Sequence, residues 1–214
     1  MDAKASVSVG EFSRGGKSRL KVAAWDHDFT PLARVTPVGV FLPEYDELSL
    51  YCITSKVTSD CLIDGLEDWW QRVQGRFKEV TTLVLNLDNG PENHSRRTQF
   101  MARLLVFAQV YKLNIRLVYY PPYHSKYNPV ERCWGILERH WNGSLLDSVE
   151  CVVKFAATMT WKGNHPVVKL ITKTYRSGVK LTKAAMEVLE THIERKLGLE
   201  KWFVDISFAN TWNI

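Results

Sequence analysis

The chain has no long apolar run. No stretch approaches the roughly eighteen consecutive apolar residues of a membrane-spanning helix, so no membrane partner is expected. Cysteine is sparse. The four cysteines, Cys52, Cys61, Cys133 and Cys151, are widely spaced, with no CxxC pair and no His/Cys cluster. That excludes the usual zinc-site pattern and leaves buried free thiols in a reducing cytoplasm as the expectation. No signal peptide, internal repeat or low-complexity segment is visible.

What is present describes an ordinary globular chain. Its 214 residues are 45% hydrophobic and 24% charged, enough for one sizeable core, or one core with an appendage. Eight Trp are more than one core readily absorbs, so several are expected at surfaces or interfaces. The net charge of +5 suits a polyanionic partner, although moderately basic enzymes are common.

The order of elements points to an α/β fold. Asp2–Val9 alternates like a strand, Glu11–Arg19 is a basic Gly-rich turn, and Lys21–Trp25 reads as a short strand. Asp26–Pro37 reads as a polar loop. Val38–Leu42 and Leu48–Thr54 flank Pro43–Glu47 as a hairpin. A helix capped by Ser59 or Asp60 runs to about Phe77. Leu83–Leu87 is an apolar run broken only by Asn86, and it reads as a strand buried on both faces. Further helices are expected at Arg97–Leu113, from Pro129 to about Trp141, and at Ser148–Trp161, with a strand at Ile115–Tyr119. Leu181–Leu197 reads as mainly helical, after a basic stretch at Lys169–Lys180. This predicts a mixed sheet, antiparallel first and parallel later, flanked by helices. The expected seam is near Gly143, dividing a core (1–143) from a C-terminal helical extension (144–214).

Two carboxylates stand at the ends of apolar elements. Asp88 follows the run Leu83–Leu87 and precedes Asn89-Gly90, which places it at the carboxyl end of a strand, where ligands bind in sheets with parallel strands. Alternatively it is a turn Asp bonding its own backbone. Glu131 stands three residues past Asn128, with Pro129 between them. A capping box explains that spacing equally well. Taken together, the two suit a two-metal phosphoryl-transfer site, which needs about three carboxylates from separate elements.

The segment DNG, followed by PPYHSKYNPVERCWG, resembles the second and third acidic motifs of bacterial insertion-sequence DDE transposases of the mariner-like branch. The residues carrying the likeness are Pro121, Pro122, Ser125, Asn128, Pro129, Glu131, Trp134 and Gly135. The start, DAKASVSVGEFSRGGKSR, the Asp26-His27-Asp28-Phe29 loop and PVGVFLPEYDELSLY also resemble that family, and the fit runs from Asp2 to about Gly178. The resemblance implies an RNase H-like fold and metal-dependent cleavage and transfer of DNA strands, in a bacterial, cytoplasmic and nucleoid-associated setting. It implies two Mg²⁺ (or Mn²⁺) held by Asp2, Asp88 and Glu131, with DNA as partner and a homo-oligomer on DNA ends. Such chemistry needs no covalent Ser or Cys nucleophile. The first acidic residue maps to Asp2 in Asp2-Ala3-Lys4, with Asp26 and Asp28 as competitors.

Family members carry a long N-terminal region with helix-turn-helix elements, whereas here Met1 directly precedes Asp2. The expectation is a fragment, a decayed gene or an excised catalytic domain with a clipped first strand. The competing functions are a non-catalytic remnant binding nucleic acid or a partner, and an RNase H-like nuclease. Lys4, Arg14, Lys17, Arg19, Arg96, Arg97 and Lys126 are candidate phosphate contacts, or else a solvated basic surface. His94 and His124 flank the two motifs and are candidate contacts to DNA or water. Glu138, one heptad after Glu131 on the same helix face, reads as a surface residue or as one supporting the site from behind, with a supplementary metal ligand as the alternative.

Overall fold

The computed structural model describes residues 1–17, 24, 30–121, 124 and 127–209. The chain divides into two compact units that alternate along the sequence. The first comprises 1–56 and 129–174, the second 57–128 and 175–214. Gly143 lies within the first unit. Each unit contains a mixed sheet with helices, an α/β architecture consistent with an RNase H-like fold.

In the first unit, β1 (Asp2–Ala3) and β2 (Val7–Val9) both pair antiparallel with β3 (Ala33–Leu42). The sequence suggests one continuous strand over Asp2–Val9, but the register slips between the two pieces. Ala3 lies opposite Val38 and Val7 opposite Val35, so the N-terminal side carries one extra residue, a bulge. Lys4 N still donates to Pro37 O at 2.8 Å. In a strand, the N and O of one residue point to the same side. The missing N–H of Pro37 therefore faces the bulge, where the ladder is already interrupted, which explains how β3 runs through a proline. β3 continues through the turn at 43–46 into β4 (Glu47–Ile53), as the hairpin pattern predicts.

β4 also pairs in parallel with β7 (Val167–Ile171), hidden in the sequence at the start of the basic stretch. The helices α3 (Pro129–Trp141) and α4 (Val149–Ala157) join Val7, Val9, Val35, Leu48 and Leu50 in one core, through Val130, Cys133, Leu137, Trp141, Val152 and Ala156. Ser148 caps α4 by accepting from Cys151 N at 3.1 Å.

In the second unit, α1 (Ser59–Val73) is capped by Thr58 rather than by the expected Ser59 or Asp60, and the Thr58 hydroxyl accepts from Cys61 N. A 3-10 turn over Gln74–Arg76 ends it. β5 (Thr82–Leu87) pairs in parallel with β6 (Asn114–Tyr119), and α2 (Thr98–Tyr111) connects them. β5 is not buried on both faces as its apolar run suggests. It stands at the sheet edge, Leu85 and Leu87 face the core, and Val84 is 50% exposed.

The region after Leu181 is less helical than its composition suggests. α5 covers only Lys183–Glu190, and the chain then forms β8 (Ile193–Arg195) and β9 (Phe203–Ile206). β9 extends the sheet antiparallel to β6, with Val204 and Ile206 fully buried. Arg116 and Asp205, opposite each other in that register, form an ion pair at 2.8 Å that fits the strand to the edge of β6. The strand proposed at Lys21–Trp25 lies outside the described residues, apart from Ala24.

Candidate active site

Asp2 lies within the first sheet, opposite Gly39 of β3. Its side chain is held rigidly. It is 5% exposed, and its Oδ2 accepts from the indole Nε1 of Trp134 at 2.8 Å, while Oδ1 accepts from Ala3 N at 2.9 Å. A buried carboxylate needs such donors to offset its lost hydration. The indole can reach it because residue 39 has no side chain. A Cβ on Gly39 would stand 2.7 Å from Trp134 Cη2 and 2.9 Å from Val130 Cγ2.

Trp134 follows Glu131 by three residues on α3, so the two are neighbours on the helix surface. The structure thus ties Asp2 to the same turns of α3 that carry Glu131, which is half-buried in the first turn. Asn128 is buried just before the helix, and its Nδ2 has no partner among the described residues. Neither Trp134 as a partner of Asp2 nor Gly39 as its clearance is legible beforehand, because each depends on a contact between distant segments.

Asp88 belongs to the second unit, exposed just past the end of β5. Asn89 takes a left-handed conformation, with φ of 61°, which Asn tolerates. Gly90 N donates to Asp88 Oδ1 at 3.3 Å, the Asx-type turn that the dipeptide allows. A stronger partner is Asn93, whose Nδ2 donates to the same oxygen at 2.8 Å. Asn93 is itself buried, and its backbone O accepts from the Tyr119 hydroxyl at 2.7 Å. Burial, aided by the charge of Asp88 and opposed by Arg195, pushes the Tyr119 hydroxyl well above its ordinary value, so it remains a donor. Asn93 is the residue the sequence alone does not single out. Its only signal is an amide side chain five residues after the acid.

The basic candidates divide. Lys4 and Arg14 both bind Glu138, Lys4 through a close contact to Oε1 and Arg14 through Oε2 at 3.2 Å. Burial raises the Glu138 carboxyl, but the hydrogen bonds and charges of Lys4 and Arg14 outweigh it and hold the group below its ordinary value. Arg97 is engaged by Glu92 at 3.1 Å and by the Ser59 hydroxyl. Lys17 and Arg96 are exposed. His94 is lowered by burial and by Arg97 and Arg96, against the pull of Glu92, so its neutral ring can accept Arg96 N at 3.2 Å through Nδ1. His124 stacks on Tyr127. Arg19, Lys126, Asp26 and Asp28 lie outside the described residues.

Among the described residues, no group of three or more His, Cys, Asp or Glu side chains converges as a metal site. The oxygens at Asp88 nevertheless suit a hard divalent cation. Oδ2 of Asp88 meets no donor among the described residues, and the buried Oδ1 of Asn93 is likewise unpartnered. Cys52, Cys61, Cys133 and Cys151 are free thiols, the first three buried, and no described helix is long and apolar enough to cross a membrane.

A family model described as the Rhodopirellula transposase DDE domain matches residues 1–208. No curated protein and no solved structure matches the chain.

Proposed function

The chain belongs to the Rhodopirellula transposase DDE domain family, and from that membership we propose that it is a metal-dependent polynucleotidyl transferase that cleaves and joins DNA strands. Asp2, Asp88 and Glu131 are the carboxylates assigned to two Mg²⁺ or Mn²⁺ ions. Such ions, when bound, supply the charge that activates an attacking oxygen and stabilises a leaving one. The observation that carries the assignment is the Trp134–Asp2 hydrogen bond. It holds Asp2 in the sheet and against the helix that bears Glu131. Asp26 and Asp28 remain competitors for the first position.

The residues around the trio have separable tasks. Trp134 orients Asp2, and Asn93 orients Asp88. Glu138 positions Lys4 and Arg14 rather than binding metal, so those two cations are partly neutralised. Lys17 and Arg96 are better placed to meet phosphates in solvent. Arg19 and Lys126 stay candidates for the same role. The pattern Asn128-Pro129-Val130-Glu131 with Trp134-Gly135 supports the mariner-like branch. The partner is DNA, the active form is a homo-oligomer on DNA ends, and the setting is the bacterial nucleoid.

The test is Mn²⁺-dependent cleavage of DNA by the wild type and by Asp88→Asn. The wild type should nick or cut, and the variant should fall to background. Equal cutting by both, or none by either under permissive conditions, removes the active-enzyme reading. Hydrolysis without strand joining would instead indicate a nuclease.

A further inference from the structure

Two oxygens at the Asp88 corner lack a hydrogen-bond donor among the described residues. Asn93 Nδ2 donates to Asp88 Oδ1 at 2.8 Å. A carboxylate only accepts, so this bond determines the amide's orientation: its nitrogen faces Asp88 and its Oδ1 points elsewhere. Asn93 is 6% exposed, and that Oδ1 has no partner among the described residues. The residue cannot easily turn outward, because its backbone O is held by the Tyr119 hydroxyl at 2.7 Å. A buried acceptor left without a partner is unusual in a native fold and points to an absent donor or ion.

Gly90 shows where the orphaned oxygen is aimed. A Cβ on Gly90 would lie 3.2 Å from Asn93 Oδ1 and 3.2 Å from Asp88 Oδ2. Both unpartnered oxygens therefore border one small space, which stays open because residue 90 has no side chain. The backbone of Gly90 is outside the left-handed region, so its conformation does not demand glycine. The space does.

One anionic and one amide oxygen facing the same space form a hard-ligand pair, the kind that binds Mg²⁺, Mn²⁺ or Ca²⁺. We infer that Asn93 is a second oxygen ligand beside Asp88, its Oδ1 completing with Asp88 Oδ2 a divalent-cation position that Gly90 keeps open. The inference rests on the assignment of Asp88 to the metal site made under Proposed function. Asn93 then does two things at once. Its nitrogen orients the carboxylate and its oxygen joins it at the ion.

The experiment is Mn²⁺ binding to the full chain without DNA, followed by electron paramagnetic resonance of free Mn²⁺ and by the Mn²⁺-induced rise in Tm. Gly90→Ala places a methyl group in the space while leaving both ligands intact. It should weaken Mn²⁺ binding about tenfold or more, the scale seen when a metal site's surroundings are disturbed, with a near wild-type Tm in chelator. Asn93→Asp keeps the oxygen and replaces the donor with an acceptor. Repulsion should lower its Tm in chelator, and Mn²⁺ should raise that Tm by more than it raises the wild type's. If Asn93 served only to orient Asp88, Asn93→Asp would bind Mn²⁺ more weakly than the wild type.

Wild-type affinity in Gly90→Ala, or weakened binding in Asn93→Asp, overturns the inference. Should Gly90→Ala not fold, the Asn93→Asp comparison decides. Asp88→Asn separates the two levels. Lost binding there with unchanged Gly90→Ala sinks the inference alone. Unchanged binding in Asp88→Asn, or no saturable binding by the wild type, sinks the assignment of Asp88 as well.

Discussion

Glu138 holds two cations at once. Lys4 approaches one carboxylate oxygen and Arg14 the other, in a partly buried setting. Burial pushes the carboxyl up, and the two cations more than reverse it, leaving the group below its ordinary value of 4.5. A carboxylate whose folded pKa is depressed stabilises the fold fully above its unfolded value. That contribution disappears as the pH falls through the folded value. At neutral pH, Glu138→Gln should therefore melt below the wild type, and the gap should narrow as the pH drops below about 4.5. A gap in Tm that stays constant from neutral to acid pH would show that the cluster contributes nothing through charge. Lys4 and Glu138 also mark a limit of sequence reading. Both residue types are visible in the chain, but their pairing joins positions 134 residues apart, so the sequence offers Lys4 as a phosphate contact or a solvated cation and does not show its carboxylate partner.

The packing of β3 against α3 is where an element-scale decision bears on the site. Val130 and Trp134, one turn apart on α3, lie over Gly39, and only the absent side chain lets them approach β3 so closely. Gly39→Val would force both away. Overpacking of this kind costs about 1–3 kcal/mol, which should appear as a lower denaturant midpoint and, through the lost indole bond to Asp2, as reduced Mn²⁺ affinity. Full stability with intact metal binding would show that α3 can shift without disturbing Asp2. Several elements were legible locally. Pro129 opens α3 at the predicted residue, the 38–54 hairpin forms, and β6 falls almost where its apolar run lies. β7, β8 and β9 were not, because short strands with exposed or charged residues acquire their identity from the strands they pair with.

At the scale of the whole molecule, the net charge of +5 already counts every carboxylate, and because Lys4, Arg14, Arg97, Arg103 and Arg116 are paired with carboxylates, the excess positive charge is carried by other Lys and Arg side chains. DNA affinity should fall steeply with salt, because phosphate contacts release counterions. Arg96→Ala should lower the slope of log affinity against log salt by about one, the effect of a single phosphate contact. Arg97→Ala should instead reduce Tm, by leaving the partly buried Glu92 carboxylate without its cation. The reverse pattern in filter binding and thermal melting would exchange their roles. The chain's class was determined by the sequence alone. Apolar periodicity, the acid after β5, the Asn-Pro-Val-Glu opening of α3 and the family's motifs are local patterns, and local patterns survive being read one segment at a time. Tertiary structure decided which carboxylates have partners, which cations are neutralised, and that the strands divide between two sheets. Those outcomes depend on the clearance at Gly39, the bulge between β1 and β2, and hydrogen bonds such as Trp134 to Asp2 and Asn93 to Asp88. A donor and its acceptor can be named from a sequence, but the burial that makes their bond matter exists only once the chain has folded.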